Sequence, residues 1–178
     1  SKSVRKGVKK SLMIVDMPFN KYKNKSQALK NCKKVMKETK CDGIKLEGGR
    51  TINEIVKHLI KHKIPVMGHI GITPQSVRGK FRYKGKSDIE KKNLLKDSKS
   101  LEDAGVFAIV LECIERITSK KITESIKIPT IGIGSSNFCD GQILVTDDLL
   151  GLTDNKIKFV KKYADLKSNV RKAVKKYK

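Results

Sequence analysis

Two stretches of this chain follow one plan, and that plan limits the fold more than any other feature. The first runs from Gly43 through Glu47 to Ile64-Pro65-Val66-Met67-Gly68-His69-Ile70-Gly71, the second from Gly105 through Glu112 to Ile128-Pro129-Thr130-Ile131-Gly132-Ile133-Gly134. In each, a strand ends in Glu, a helix of about a dozen residues follows, and Ile-Pro opens a glycine-rich strand, with equivalents 64 or 65 residues apart. Two βαβ units of one architecture predict a TIM (β/α)8 barrel rather than a doubly wound sheet, whose Gly-x-Gly-x-x-Gly turn is absent.

The remaining pattern agrees with parallel strands separated by helices. Leu12 to Val15 reads as a strand, residues 25 to 39 as a helix with Ala28, Leu29, Cys32, Val35 and Met36 at helical spacing, and Gly43 to Glu47 as a strand. A helix from Ile52 to His62 and a strand from Pro65 to His69 come next. After a long loop, residues 88 to 104 read as a helix, Phe107 to Glu112 as a strand and 114 to 126 as a helix; Thr130 to Gly134 and Gln142 to Val145 are the last strands. Six strands are thus expected where a closed barrel needs eight and about 250 residues. The 178 residues therefore read as a single domain, the C-terminal portion of a barrel lacking its first two βα units. Residues 157 to 178 are helical in pattern, with Val160, Tyr163, Leu166, Val170, Val174 and Tyr177 near one face, a pattern that suits packing against the barrel.

Composition narrows the function classes. Residues 1 to 15 mimic a signal peptide, but the apolar run Leu12-Met13-Ile14-Val15 is short and closed by Asp16 and Pro18. A buried strand in a cytoplasmic protein without membrane contact is the expectation. The four cysteines, Cys32, Cys41, Cys113 and Cys139, lack Cys-x-x-Cys spacing and read as core thiols. A net charge of +23 raises the question of nucleic acid. Yet 35 of the 41 basic residues are Lys, spread along the chain, and aromatics are only 5%, so a general Lys bias is the simpler reading and no nucleic-acid partner is expected.

On a barrel, functional groups sit at the C-terminal ends of strands. Asp16, Lys45, Glu47, His69 and Glu112 all occupy such ends. Each alone has a structural reading, as a helix cap, a rim histidine or a turn-facing carboxylate; five on one rim favour a shared site. Within Gly43-Ile44-Lys45-Leu46-Glu47, alternation turns Ile44 and Leu46 one way and Lys45 and Glu47 the other. Asp16 and Glu47 offer hard oxygen ligands suited to Mg²⁺. Lys45 suits the negative charge of a keto acid, and His69 suits orienting or hydrogen-bonding that substrate. Glu112, after five apolar residues, suits a general base. Metal chelation by a 2-oxo acid favours removal of the proton beside the carbonyl, so the predicted chemistry is enolate formation and carbon-carbon bond formation. The loop Gly71-Ile72-Thr73-Pro74-Gln75-Ser76-Val77 leads into Arg78, Lys80, Arg82, Lys84 and Lys86, which either cover an anionic co-substrate or form a solvated basic loop.

Six segments carry a resemblance. Asp16-Met17-Pro18-Phe19, Ile44-Lys45-Leu46-Glu47-Gly48-Gly49, Gly68-His69-Ile70-Gly71-Ile72-Thr73-Pro74-Gln75-Ser76, Leu111-Glu112-Cys113, Ile131-Gly132-Ile133-Gly134 and Asp140-Gly141-Gln142-Ile143-Leu144-Val145 closely resemble the ketopantoate (3-methyl-2-oxobutanoate) hydroxymethyltransferase family. They stand in family order over nearly the whole chain. The resemblance implies a TIM barrel that transfers a hydroxymethyl group from 5,10-methylenetetrahydrofolate, the co-substrate, to 3-methyl-2-oxobutanoate, giving 2-dehydropantoate, the first committed step toward pantothenate. It further implies that Asp16 and Glu47 bind Mg²⁺, that Asp16 and Lys45 contact the keto acid, that Glu112 accepts the proton and that His69 lies in the substrate pocket. A homo-oligomer, often a decamer, is implied as well.

The chain departs from the family pattern in two places. Ser135-Ser136 stands where the family usually has small residues such as Ala-Gly, a change that either narrows the pocket or is tolerated in a loop. A Val-Gly-Asp-Ser segment, which in the family ends the second strand and supplies an aspartate and a serine to the site, has no counterpart. Ser3-Val4-Arg5-Lys6-Gly7 resembles instead the segment before the family's third strand, and there is no initiating Met. The alternatives are another Mg²⁺-dependent 2-oxo acid carbon-carbon lyase or transferase and a non-catalytic basic binding protein, possibly for RNA.

Overall fold

The computed structural model describes residues 1–75, 82–154 and 157–178. It forms two compact units, Ser1–Gly141 and Gln142–Lys178.

The first unit is built on a curled, open sheet. Its strands are β1 (Ile14–Asp16), β2 (Gly43–Glu47), β3 (Val66–Gly71), β4 (Ala108–Glu112), β5 (Thr130–Ile133) and β6 (Gly141–Gln142), in the order β1-β2-β3-β4-β5-β6. Neighbours from β1 to β5 pair in parallel. The expected strand count of six holds among the described residues; the sheet is an open arc consistent with part of a (β/α) barrel, not a closed eight-stranded one. Helix α1 (Lys2–Gly7) precedes the sheet, and α2 (Lys25–Thr39), α3 (Asn53–Lys61), α4 (Asp88–Ala104) and α5 (Arg116–Ser125) connect successive strands.

Local chemistry sets the ends of these helices. The Asn24 side chain accepts from the Gln27 amide to open α2, which closes at Lys40 in the left-handed conformation. Ser87 accepts from the Glu90 amide to open α4, and Gly105 at φ +95° ends it. Both spans coincide with those expected from the sequence, residues 25 to 39 and 88 to 104. The expected helix over 52 to 62 begins instead with a 3₁₀ turn at Arg50–Ile52.

Parallel register gives the two sheet faces different jobs. One face carries Ile44, Leu46, Val66, Ile109 and Leu111, all fully buried in the hydrophobic core with Val56, Leu59 and Leu101 of the helices. Burying each such side chain is worth about 1.5–3 kcal/mol, so this face fixes the register of every central strand. The register pairs Asp16 with Lys45, Glu47 with His69, His69 with Val110, and Gly71 with Glu112. Paired residues point the same way, so the other face presents Asp16, Lys45, Glu47, His69 and Glu112 together. Cys32, Cys41, Cys113 and Cys139 are free and buried, as core thiols should be. Burial pushes the Cys32 thiol up to about 12.

The strand expected over Gln142 to Val145 is shortened to Gly141–Gln142. Ile143 and Val145 are about half exposed, so nothing packs on them to hold an extended ladder there, and Val145 instead precedes α6 (Thr146–Leu149). In the second unit the expected helix over 157 to 178 narrows to α7 (Leu166–Tyr177), which starts where the Asp165 side chain accepts from the Ser168 amide. No residue of α7 is buried, and Tyr177 is almost fully exposed. Among the described residues no helix is long and apolar enough to cross a membrane.

Candidate active site

Four of the five predicted rim residues form a continuous polar chain across β1 to β4. Asp16 Oδ2 lies 2.8 Å from Lys45 Nζ. Lys45 Nζ lies 2.9 Å from His69 Nδ1. His69 Nε2 lies 3.2 Å from Glu112 Oε2. The fifth, Glu47, stands beside this chain and feels the charge of His69, Lys45 and Asp16.

Burial grades across the set. His69 is 2% exposed and Glu47 6%, whereas the Asp16 side chain is 45% exposed at the edge strand. Asp16 therefore meets solvent, and His69 and Glu47 on the inner strands do not. Glu47 Oε2 accepts from the Gln75 amide at 3.2 Å. Burial pushes the Glu47 carboxyl above its ordinary value, outweighing the pull of His69, Lys45 and that amide; the nearby Asp16 carboxylate pushes the same way.

This environment fits a divalent cation. Two carboxylates that repel each other, one of them buried with a single amide donor, would be relieved by Mg²⁺, which takes one or two carboxylates and fills its remaining positions with water and substrate oxygens. Among the described residues no cluster of three or more His, Cys, Asp or Glu side chains forms an all-protein cage. Asp16 and Glu47 are the carboxylates whose charges act on each other here.

Backbone geometry holds Glu112 in place. Gly71 has φ +102°, and a Cβ there would stand 2.2 Å from the Glu112 carbonyl oxygen, so only glycine lets β3 pass this close. The Ile72 amide donates to that same carbonyl at 2.9 Å. On the other side Ser135 Oγ donates to the Leu111 carbonyl at 2.6 Å and accepts from the Ile114 amide at 3.0 Å. The hydroxyl thus spans the Glu112-Cys113 step, where Cys113 adopts φ +50°. Sequence reasoning singled out Ser135 only as a departure in a loop; no linear pattern marks its reach back to β4.

A cleft of about 450 Å³ opens beside Glu47, lined by Phe19, Tyr22, Lys23, Ile52, Ile55 and Thr73 among others. Tyr22 is 9% exposed and its hydroxyl donates to the Glu47 carbonyl at 3.4 Å. Burial raises the Tyr22 hydroxyl above its ordinary value. Of the five rim residues only Glu47 lines this cleft. Glu47 thus stands between the cleft and the polar chain.

The basic loop after β3 is partly described. Arg78 and Lys80 lie outside the described residues. Arg82 pairs with Glu90 at 2.5 Å, and Lys84 exchanges backbone hydrogen bonds with Cys113 and Glu115. The end of the loop is thus fastened to the segment following Glu112.

Known proteins agree with the sequence motifs. Residues 1–178 match the family model described as ketopantoate hydroxymethyltransferase. The chain is 58% identical over 178 residues to the 3-methyl-2-oxobutanoate hydroxymethyltransferase of Pelagibacter ubique (strain HTCC1062), covering 100% of this chain and 69% of that protein. It is 49% identical over 181 residues to the enzyme of that name from Clostridium botulinum (strain Alaska E43 / Type E3), covering 99% and 66%. The chain spans about two thirds of the length of these curated relatives. A crystal structure of dihydrodipicolinate synthase from Acinetobacter baumannii, complexed with pyruvate, matches with a TM-score of 0.51 over 78% of this chain and 57% of that one. At 13% identity that is a likeness of fold alone.

Proposed function

The chain belongs to the ketopantoate hydroxymethyltransferase family, and from that premise we propose that the protein transfers a hydroxymethyl group from 5,10-methylenetetrahydrofolate to 3-methyl-2-oxobutanoate, in pantothenate biosynthesis. The observation that carries the reading to these residues is the row of close polar contacts from Asp16 through Lys45 and His69 to Glu112. It sets a cation, a histidine and two carboxylates side by side on one face of the sheet, with the Glu47 carboxylate next to them.

Asp16 and Glu47 would hold Mg²⁺, which supplies Lewis-acid polarisation of the keto oxygen. Lys45 has three ammonium hydrogens; two face Asp16 and His69, and the third is available to the substrate carboxylate. Glu112, tied by its own backbone to Gly71-Ile72 and Ser135, accepts the proton from C3 of the keto acid. The electron pair left behind delocalises onto the C2 carbonyl as an enolate. C3 then bonds to the one-carbon unit of the folate, and with one water consumed the products are 2-dehydropantoate and tetrahydrofolate. Burial of Glu47 and His69 keeps bulk water from the centre of the set and strengthens the interactions there.

Closing the barrel requires two strands beyond the six described, and we assign them to two further βα units of the whole protein. The whole protein is read as a cytoplasmic homo-oligomer, whose subunit contacts would cover the apolar Val170 and Val174 that α7 exposes.

The test uses the full-length protein with 3-methyl-2-oxobutanoate, 5,10-methylenetetrahydrofolate and Mg²⁺. Formation of 2-dehydropantoate is expected. Exchange of the C3 proton without any folate-dependent product would reject the transferase reading.

A further inference from the structure

We propose that His69 is a positioning residue for Glu112, held in the Nε2–H tautomer by Lys45 so that this N–H fixes the Glu112 carboxylate in its proton-accepting pose. The inference rests on the reading of Glu112 as the base and goes beyond it, because the family resemblance places His69 only in the substrate pocket.

The tautomer follows from the donors. Lys45 Nζ sits 2.8 Å from an Asp16 carboxylate oxygen, the contact of an ammonium, and an ammonium has hydrogens to give and no lone pair. Nδ1 of His69, 2.9 Å from the same nitrogen, must therefore accept. A proton on Nδ1 would point at a cation. The ring's N–H is then at Nε2, since the hydrogen bond made by one imidazole nitrogen decides which nitrogen carries the proton.

That N–H has one conspicuous neighbour. Nε2 is buried and has no aligned hydrogen-bond acceptor, yet Glu112 Oε2 lies 3.2 Å away. A buried donor left unpaired costs about 1–3 kcal/mol, which alignment with the carboxylate recovers. Catalytic hydrogen bonds are commonly misaligned before substrate binds and tighten afterwards. At 2% exposure, with Lys45 on one nitrogen and Glu112 beside the other, His69 acts through Glu112 rather than on the keto acid directly.

Two substitutions separate the ring's ends. In the full-length protein, His69→Asn keeps a polar group near the Nδ1 position and removes the N–H at Nε2, whereas His69→Gln places an amide N–H near Nε2. Exchange of the C3 proton of 3-methyl-2-oxobutanoate into D₂O with Mg²⁺ should fall about 10²-fold in the Asn variant and stay within about tenfold in the Gln variant. The dissociation constant for the keto acid should be nearly unchanged in both. Wild-type exchange in the Asn variant overturns the proposal, as does equal slowing in the two variants or a loss of keto-acid binding that accounts for the slowing. ¹⁵N-histidine spectra of the unmodified full-length protein, with the His69 signals assigned by their loss in the two variants, give a readout that no folding defect can mask. A protonated Nε2 with a bare Nδ1 on His69 is expected, and a proton on Nδ1 overturns the inference. If the wild-type protein exchanges no C3 proton, the functional reading falls, while the tautomer measurement still decides the state of His69.

Discussion

Gly71→Ala should damage the site through the backbone alone. The residue has φ +102°, a region that costs an L side chain about 1–2 kcal/mol. The new Cβ would lie 2.2 Å from the Glu112 carbonyl oxygen and 2.8 Å from Ile114 Cγ1. The first contact is with main chain, so the two strands must part by roughly 1 Å, a displacement that costs about 10²-fold when it moves a reacting group. Parting them also weakens the Ile72 amide bond to the same carbonyl, worth about 1 kcal/mol. The sum is about 2–3 kcal/mol, or a fall in Tm of about 4–12 °C for a chain of this size. Gly68→Ala on the same strand is the control. Its Cβ would meet Leu101 Cδ1 at 2.9 Å, the movable end of a core side chain on the opposite face. Overpacking there costs about 1–3 kcal/mol and leaves Glu112 where it is. Differential scanning calorimetry and C3 proton exchange, measured on both variants, should show two destabilised proteins of which only Gly71→Ala is slow. Equal exchange rates in the two variants would refute the claim that Gly71 serves the placement of Glu112.

Three further outcomes are expected. Glu112→Gln should lower C3 exchange by about 10² to 10⁴ while keto-acid binding, read by calorimetry, is retained; unchanged exchange would remove Glu112 as the base. Glu47→Gln should raise the Mg²⁺ concentration needed for activity. It should also stabilise the metal-free protein at neutral pH: burial raises the Glu47 pKa, so the folded state prefers the protonated form and ionisation at higher pH costs stability that Gln does not pay. That advantage should shrink as pH falls toward the ordinary carboxylate range, where the wild-type group also becomes neutral, and an advantage that grows on acidification would contradict the burial argument. Ser135→Ala leaves the Leu111 carbonyl and the Ile114 amide without their shared partner, at about 1–3 kcal/mol, visible as a lower Tm; an unchanged Tm would show that the hydroxyl bridge contributes nothing.

The rim was legible because two simple rules meet there. Period-two alternation turned Lys45 and Glu47 away from Ile44 and Leu46, and the strand-end rule placed Asp16, His69 and Glu112 on the same level. Helix α2 was legible from its stripe of Ala28, Leu29, Cys32, Val35 and Met36, and the structure adds the caps at Asn24 and Lys40, and those of α4 at Ser87 and Gly105. What was hidden depends on how strands lie beside one another. The reach of His69 to both Lys45 and Glu112 is set by register and curl over three strands, which no single segment encodes. The Ser135 bridge joins residues more than 20 apart in sequence. Ile143-Leu144-Val145 misled because β-branched residues favour a strand only when something covers them, and Ile143 and Val145 are half exposed.

The order of the strands bears on how the site is made. The polar chain draws on β1, β2, β3 and β4, each the spatial neighbour of the next in sequence, so every link closes between adjacent βα units. Such assembly has low contact order for a sheet protein, and a nascent chain can acquire the constellation one rung at a time as each strand docks. Glu112 is the last rung to arrive. Ser135 and the Cys113 amide bond to Ile133 then fasten it only after β5 is in place. Glu112 is therefore both the terminus of the polar chain and the point where its assembly is locked, so folding defects in β5 should be felt first as a loosened Glu112.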